Sequence, residues 1–199
     1  MPGVGGRDYA RGMPRLIYNT ASTFNGFIAD DDHSLEWLFA APGGESGGEE
    51  FDRFLDGVGA LVMGSSTYEW ILAHENLLEH PEKWSAFYGA RSAWVFTSRA
   101  LPAVPGADIR FVSGEPATHW GDVASSAGAA DVWIVGGGDL VGQFFDAGLL
   151  DEIRVSFAPA VLPSGKPLLP RRIGADVLEL VDVRRNGAFA EVVYRVTRS

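Results

Sequence analysis

The segment Val132-Trp-Ile-Val-Gly-Gly-Gly-Asp-Leu-Val-Gly-Gln-Phe-Phe145 carries the clearest chemical signal in the chain. A wholly apolar run passes into three consecutive glycines and then into a helical pattern. A helix N-terminus presents free N–H groups and about half a positive charge, and glycines let a phosphate approach the backbone. The same residues suit a tight strand-to-helix turn that needs positive φ, and the motif alone leaves both readings open. Neither familiar phosphate loop is complete here. A P-loop requires Gly-Lys-Ser/Thr, which is absent, and G-x-G-x-x-G begun at Gly136 needs glycine where Val141 stands. That second fingerprint also belongs to the first βα turn of its domain. An ordinary Rossmann dehydrogenase is therefore disfavoured.

Three further segments place small, hydroxylated or cationic residues just after apolar runs. They are Ala21-Ser-Thr-Phe-Asn-Gly-Phe-Ile-Ala29, Val62-Met-Gly-Ser-Ser-Thr-Tyr-Glu69 and Val95-Phe-Thr-Ser-Arg99. Such groups donate to phosphate oxygens. Other chemistry finds less support. The chain contains no cysteine, which excludes disulfides, thiolate nucleophiles and Cys-ligated metals. His33, His74, His80 and His119 lie apart, without the H-x-x-x-H spacing of a metal site. They read as surface or helix residues, and no metal is expected. Ser65, Ser66 and Ser98 do not sit in G-x-S-x-G, so a hydrolase elbow is not indicated.

The elements that must position these groups follow from periodicity. Strands are expected over 15–21, 60–63, 93–96, 109–112 and 132–135, those at 60–63, 93–96 and 132–135 short, apolar and hence buried on both faces. Helices are expected over 51–58, from Ser65-Ser66-Thr67 through Leu72 with those hydroxyls as N-caps, from Pro81 past Phe87, over 120–130 and over 139–147. After Leu150 the texture becomes strand-like over 152–158, 177–184 and 189–197, with Asn186-Gly187 turning the last pair as a hairpin. Alternation followed by a hairpin implies an α/β fold: three layers, α/β/α, around a mixed, mainly parallel sheet that closes with an antiparallel hairpin. Of six tryptophans, Trp84 and Trp133 fall on packed faces.

The chain has 199 residues, 46% of them hydrophobic and 21% charged, which suits a soluble globular protein. At roughly 100–200 residues per domain, one domain over 15–199 is expected after a loose tail over 1–14. A net charge of −10 repels phosphate backbones and anionic lipid. Neither nucleic acid nor a membrane is expected as a partner. The tail lacks the apolar stretch of a secretory signal, and no uncharged run approaches a membrane span of about 18 residues. A cytoplasmic protein is the simplest expectation.

Taken together and in order, the four strand-end segments resemble the dihydrofolate reductase superfamily. The branch they resemble is the one related to the reductase domain of the bifunctional riboflavin-biosynthesis deaminase-reductase. Leu150-Asp-Glu-Ile and Leu162-Pro-Ser-Gly-Lys-Pro-Leu168 resemble that family's late strands. The resemblance implies NADPH, with NADH not excluded, lying across the C-terminal strand ends. It implies that Ala21, Ile28 and Ala29 border the nicotinamide and that Gly64, Ser65, Ser66 and Thr67 face phosphate. Thr97, Ser98 and Arg99 would surround the adenosine ribose and its 2′-phosphate. Val135, Gly136, Gly137, Gly138, Asp139 and Leu140 would hold the pyrophosphate, Gly136-Gly137 matching the family's cis pair, and Gln143 would face the adenine. A homodimer through the late strands is implied as well.

The chain also departs from that pattern. Ser65 stands where the family commonly places Arg, and Asn25 replaces the usual Asp of the first motif. Asp139 puts a negative charge near a pyrophosphate, unless its side chain caps the helix instead. On the substrate side the resemblance implies Asn25, Phe27 and Trp37 as contacts under a loop over Asp30–Trp37; three consecutive acids there also suit a plain solvated loop. No acid follows Trp37 within Leu38–Pro42, which argues against folate reduction, and Glu45 lies in a Gly-rich loop. No basic cluster lies between Trp37 and Glu50 to hold a ribose phosphate. The expected activity is a nicotinamide-dependent reductase of a pyrimidine- or pterin-like heterocycle, nominally 5-amino-6-(5-phosphoribosylamino)uracil. The catalytic residue is left unassigned. The alternative is a nucleotide-binding protein of the same fold without turnover.

Overall fold

The computed structural model describes residues 13–43 and 48–197. The expected tail over 1–14 lies almost wholly outside the described residues, and so does Glu45.

Eight strands form one sheet. In chain order they are β1 (Leu16–Thr23), β3 (Val58–Gly64), β4 (Ser92–Phe96), β5 (Ile109–Val112), β6 (Asp131–Gly136), β7 (Glu152–Ala158), β9 (Leu178–Asn186) and β10 (Phe189–Val196). Across the sheet the order is β5-β4-β3-β6-β1-β7-β10-β9. All pairings from β5 to β7 are parallel, and β10 runs antiparallel to both β7 and β9. Two short strands, β2 (Phe27–Ala29) and β8 (Lys166–Pro167), pair separately as a flap. Helices are α1 (Glu36–Phe39), α2 (Gly48–Asp56), α3 (Ser65–His74), α4 (Glu82–Tyr88), α5 (Pro116–Ala127) and α6 (Gly138–Asp146).

Strand alternation sorts the apolar residues into two cores. Leu16, Tyr18, Val62, Trp94, Val132 and Ile134 face α5 and α6, packing with Val123, Val141 and Phe144. The intervening Ile17, Leu61, Met63, Ala93, Val95 and Trp133 face the other helices, packing with Phe54, Tyr68, Leu72 and Trp84. Because both faces are covered, the central strands read as unbroken apolar runs. At the N-terminal ends of the strands, opposite the glycine turn, Glu152 is buried between Arg154 at 2.5 Å and Arg15 at 3.2 Å, and Arg15 also reaches Asp131 at 2.5 Å. This cluster ties together the starts of β1, β6 and β7.

The elements differ from expectation where local chemistry overrides periodicity. Helix α5 starts earlier, because Pro116 takes the first turn, and ends earlier, because Gly128 at φ +64° stops it. Neither Ser65, Ser66 nor Thr67 caps α3: Gly64 is its N-cap and no side-chain cap bond is made. Elements β2, β8 and α1, of two to four residues, are too short to leave a periodic signal.

Candidate functional site

The C-terminal ends of β1, β3, β4 and β6 open into a cleft of about 570 Å³. Thr20, Gly64, Phe96 and Gly136 continue, two residues on, the rows Leu16/Tyr18, Ala60/Val62, Trp94 and Val132/Ile134 of the first core. The cleft therefore extends the α5/α6 layer beyond the strand ends, where open α/β sheets bind ligands.

Two helices point their N-termini at this space. Helix α3 begins at Ser65 and α6 at Gly138, both lining the cleft, and neither has a side-chain cap. Their first-turn N–H groups are left for another partner. The glycines serve different ends. Gly64 has room, since a Cβ there would meet nothing closer than 3.9 Å, so its missing side chain leaves the floor open. Gly138 has none, because the strap after β8 crosses it: a Cβ would lie 2.3 Å from the Pro167 carbonyl oxygen and 2.5 Å from that of Leu168. The strap is pinned by Tyr18, whose buried hydroxyl donates to the Leu168 carbonyl at 3.1 Å. The Gly136–Gly137 peptide is cis.

Asp139 does not cap its helix, contrary to one sequence expectation. Its Oδ2 accepts from the Gln143 amide at 2.9 Å and its Oδ1 from the Arg171 guanidinium at 3.1 Å. Those two bonds, Gln143 first, hold its carboxyl below the usual carboxylate range. Arg171 also reaches Asp146 at 2.7 Å. The negative charge beside the α6 N-terminus is thus offset by a strap residue that the sequence did not single out.

Of the residues singled out for the cofactor, Ile28, Ala29, Gly64, Ser65, Ser66, Thr67, Thr97, Ser98, Val135, Gly136, Gly137, Gly138, Asp139, Leu140 and Gln143 all line the cleft. Ala21 does not; Thr20, in the opposite phase of β1, lines it instead. Arg99 lies outside the lining, its guanidinium making two bonds to the Glu69 carboxylate at 2.9 and 2.5 Å. The three substrate-side residues are also outside. Asn25 bridges the turn to the loop after β7: its amide donates to the Leu162 carbonyl at 2.7 Å and its oxygen accepts from Leu162 N at 3.2 Å and Thr23 Oγ1 at 2.9 Å. Phe27 pairs with Pro167 in the flap. Trp37 packs against a small core of Ala41, Ala158 and Phe189, and its indole N–H is buried without a partner among the described residues.

Sequence reasoning passed over Thr20, Leu35, Trp70, Phe96, Ser113, Gly114, Pro167 and Pro170, and above all His33 and Lys166. Ser113-Gly114 follows β5 as Thr97-Ser98 follows β4, so that signal was available. Trp70 was not, because its place depends on a stack in which His74 lies 4.4 Å from Trp70 and 5.3 Å from Phe39.

The strand order and the cleft at the strand ends make a dihydrofolate reductase-like fold. Within that class, the chain belongs to the RibD C-terminal domain family, whose model matches residues 89–188. It is 26% identical over 181 residues to the uncharacterized protein YwjB of Bacillus subtilis (strain 168), covering 90% of this chain and 97% of that one. Among solved structures, a putative riboflavin biosynthesis protein from Shewanella sp. PV-4 superposes with a TM-score of 0.73 at 19% identity, covering 92% of this chain and 99% of that one. Dihydrofolate reductase from Enterococcus faecalis, solved with NADP(H), superposes with a TM-score of 0.62 at 14% identity, covering 92% and 97%. Among the described residues no helix is long and apolar enough to cross a membrane.

Proposed function

We propose that the chain is a reductase that holds a reduced nicotinamide dinucleotide across the ends of β4, β3 and β6 and reduces a pyrimidine- or pterin-like heterocycle. Its nominal activity is that of a 5-amino-6-(5-phosphoribosylamino)uracil reductase. The observation that carries this reading is the convergence of two uncapped helix N-termini, those of α3 and α6, on one cleft. A diphosphate bridge satisfies such N–H groups and complements both helix dipoles. NADP(H) in the Enterococcus faecalis enzyme of the same fold supports it. When bound, the dinucleotide supplies a hydride.

The chain's own residues do the rest. Backbone N–H groups of the first turns of α3 and α6 would hold the phosphates. The hydroxyls of Ser65, Ser66, Thr97 and Ser98 line the β3–β4 end and would bond the adenosine ribose. Arg171, by neutralising Asp139, keeps that carboxylate from repelling the phosphates. Ile28 and Ala29 offer an apolar wall for the nicotinamide. Arg99 would have to exchange its bonds to Glu69 for a 2′-phosphate, so NADPH is the family expectation and NADH stays within the reading. We propose a cytoplasmic homodimer through the late strands; the exposed Leu180, Val181 and Val183 of edge strand β9 support it, and light scattering tests it.

The second reading, nucleotide binding without turnover, draws on one observation. The only carboxylate lining the cleft among the described residues is Asp139, already paired with Arg171. Calorimetry with NADPH and NADH, then stopped-flow detection of their oxidation with pyrimidine and pterin acceptors, separates the two. Binding followed by oxidation is expected. Binding with no oxidation by any acceptor supports the second reading, and no binding of either dinucleotide overturns both.

A further inference from the structure

Sheet order fixes how a bound dinucleotide must run. Ile28 and Ala29 lie in the flap after β1, the two helix N-termini follow β3 and β6, and the adenosine half is left for the ends of β4 and β5. The cleft lining at that end is neutral: Ser65 and Ser66 of α3, Thr97 and Ser98 after β4, Ser113 and Gly114 after β5. Two basic side chains flank it, and both are engaged. His119 is bonded through Nε2 to the Ser113 carbonyl at 2.8 Å. Arg99 sets both terminal nitrogens on Glu69, donating from Nη1 to Oε1 at 2.9 Å and from Nη2 to Oε2 at 2.5 Å. We propose that Glu69 selects the dinucleotide: it holds Arg99 out of the cleft, so that the adenosine ribose is accepted with a free 2′-hydroxyl and NADH binds more tightly than NADPH. This rests on the reductase reading and names its cofactor.

Helix periodicity places Glu69 where it can act. It stands four residues after Ser65 and three after Ser66, on the same face of α3 and one turn further along. Arg99 leaves the turn after β4, which Thr97 Oγ1 closes by accepting from Arg99 N at 3.0 Å, and its side chain crosses to α3 to meet the carboxylate. Both side chains are about half exposed, so the pair is weak as a tether. Charge decides instead. A guanidinium paired with a carboxylate offers a 2′-phosphate no net positive charge. A guanidinium drawn away to the phosphate leaves the Glu69 carboxylate unpaired, one like charge near another. Ser65 adds no charge to offset it. A ribose with its 2′-hydroxyl free meets neither cost. An acid beside that hydroxyl marks sites for NAD, as an arginine marks sites for NADP.

The test is calorimetric titration of the whole chain with NADH and with NADPH. The wild type should bind NADH more tightly than NADPH by at least about threefold. Glu69→Gln frees Arg99 for a charge-assisted contact and should tighten NADPH by about tenfold, while moving NADH by less than about threefold. Adding Arg99→Gln to Glu69→Gln should take that gain away. Raising the salt should erode the gain for NADPH and leave NADH where it was. A wild type that prefers NADPH, a Glu69→Gln variant whose preference is unchanged, or a gain that survives the loss of Arg99 overturns selection by Glu69 and leaves the reductase reading standing. If neither dinucleotide binds the wild type, the reductase reading falls and selection by Glu69 falls with it.

Discussion

Gly138 and Pro167 approach so closely that a Cβ on the first would lie 2.3 Å from the carbonyl oxygen of the second. The strap formed by β8 and the residues after it crosses the first turn of α6 at Gly138; it carries Lys166 and Pro170 to the cleft and Arg171 to Asp139. Gly138→Ala must therefore push backbone against backbone. We expect it to cost about 2–3 kcal/mol of stability, in the range of overpacked cores, and to abolish dinucleotide binding. Denaturant melts and calorimetry check both.

Gly64 offers the contrast. Its φ of −82° and ψ of 165° suit any residue, and a Cβ would meet nothing closer than 3.9 Å. Gly64→Ala should keep stability within about 1 kcal/mol, the difference being the poorer N-cap. Dinucleotide binding should weaken at least about tenfold, because the added methyl enters the space beside the α3 N-terminus. Equal losses of stability in Gly64→Ala and Gly138→Ala would contradict the distinction.

Arg171 is expected to act through Asp139. Arg171→Met leaves that carboxylate uncompensated beside the phosphates and should weaken dinucleotide binding by about tenfold. Adding Asp139→Asn should restore most of it. A double-mutant cycle by fluorescence titration measures the coupling; additive losses would show that Arg171 does something else.

The β4–β5 edge should lose stability in acid. Asp108 accepts from the Arg110 guanidinium at 3.1 and 2.9 Å and from the Ser92 hydroxyl at 2.5 Å. Those bonds, that of Arg110 first, hold its carboxyl below the usual range. A folded pKa below the unfolded one contributes stability above the unfolded value, about 3.9, which is lost as pH falls through the folded value. With both side chains nearly half exposed, the pair is worth at most about 1 kcal/mol. Thermal melts should find Asp108→Asn less stable than wild type at pH 7 and equal to it near pH 2.

What the sequence disclosed and what it withheld divide along physical lines. The two cores were legible, because runs such as Leu61-Val62-Met63 and Val132-Trp133-Ile134 can only be buried on both faces. So was the hairpin at Asn186-Gly187, where β9 meets β10. The glycine turn was legible as the passage from a buried strand into a helix, and Gly137 is the N-cap of α6. The α3 hydroxyls were misread as caps because the local pattern is the same whether an N-cap is Ser65 or Gly64; only the backbone decides. Long-range pairings left no trace. Arg99 finds Glu69 30 residues away, Asn25 finds Leu162 137 residues away, and Lys166 reaches the cleft only because β8 pairs with β2.

The proposed reductase requires a diphosphate between the N-termini of α3 and α6. A crystal structure determined with NADPH tests it most directly. Pyrophosphate oxygens are expected within hydrogen-bond distance of first-turn backbone N–H groups of both helices, with the nicotinamide toward Ile28 and Ala29. A dinucleotide bound elsewhere, or phosphates turned away from both helices, would contradict it.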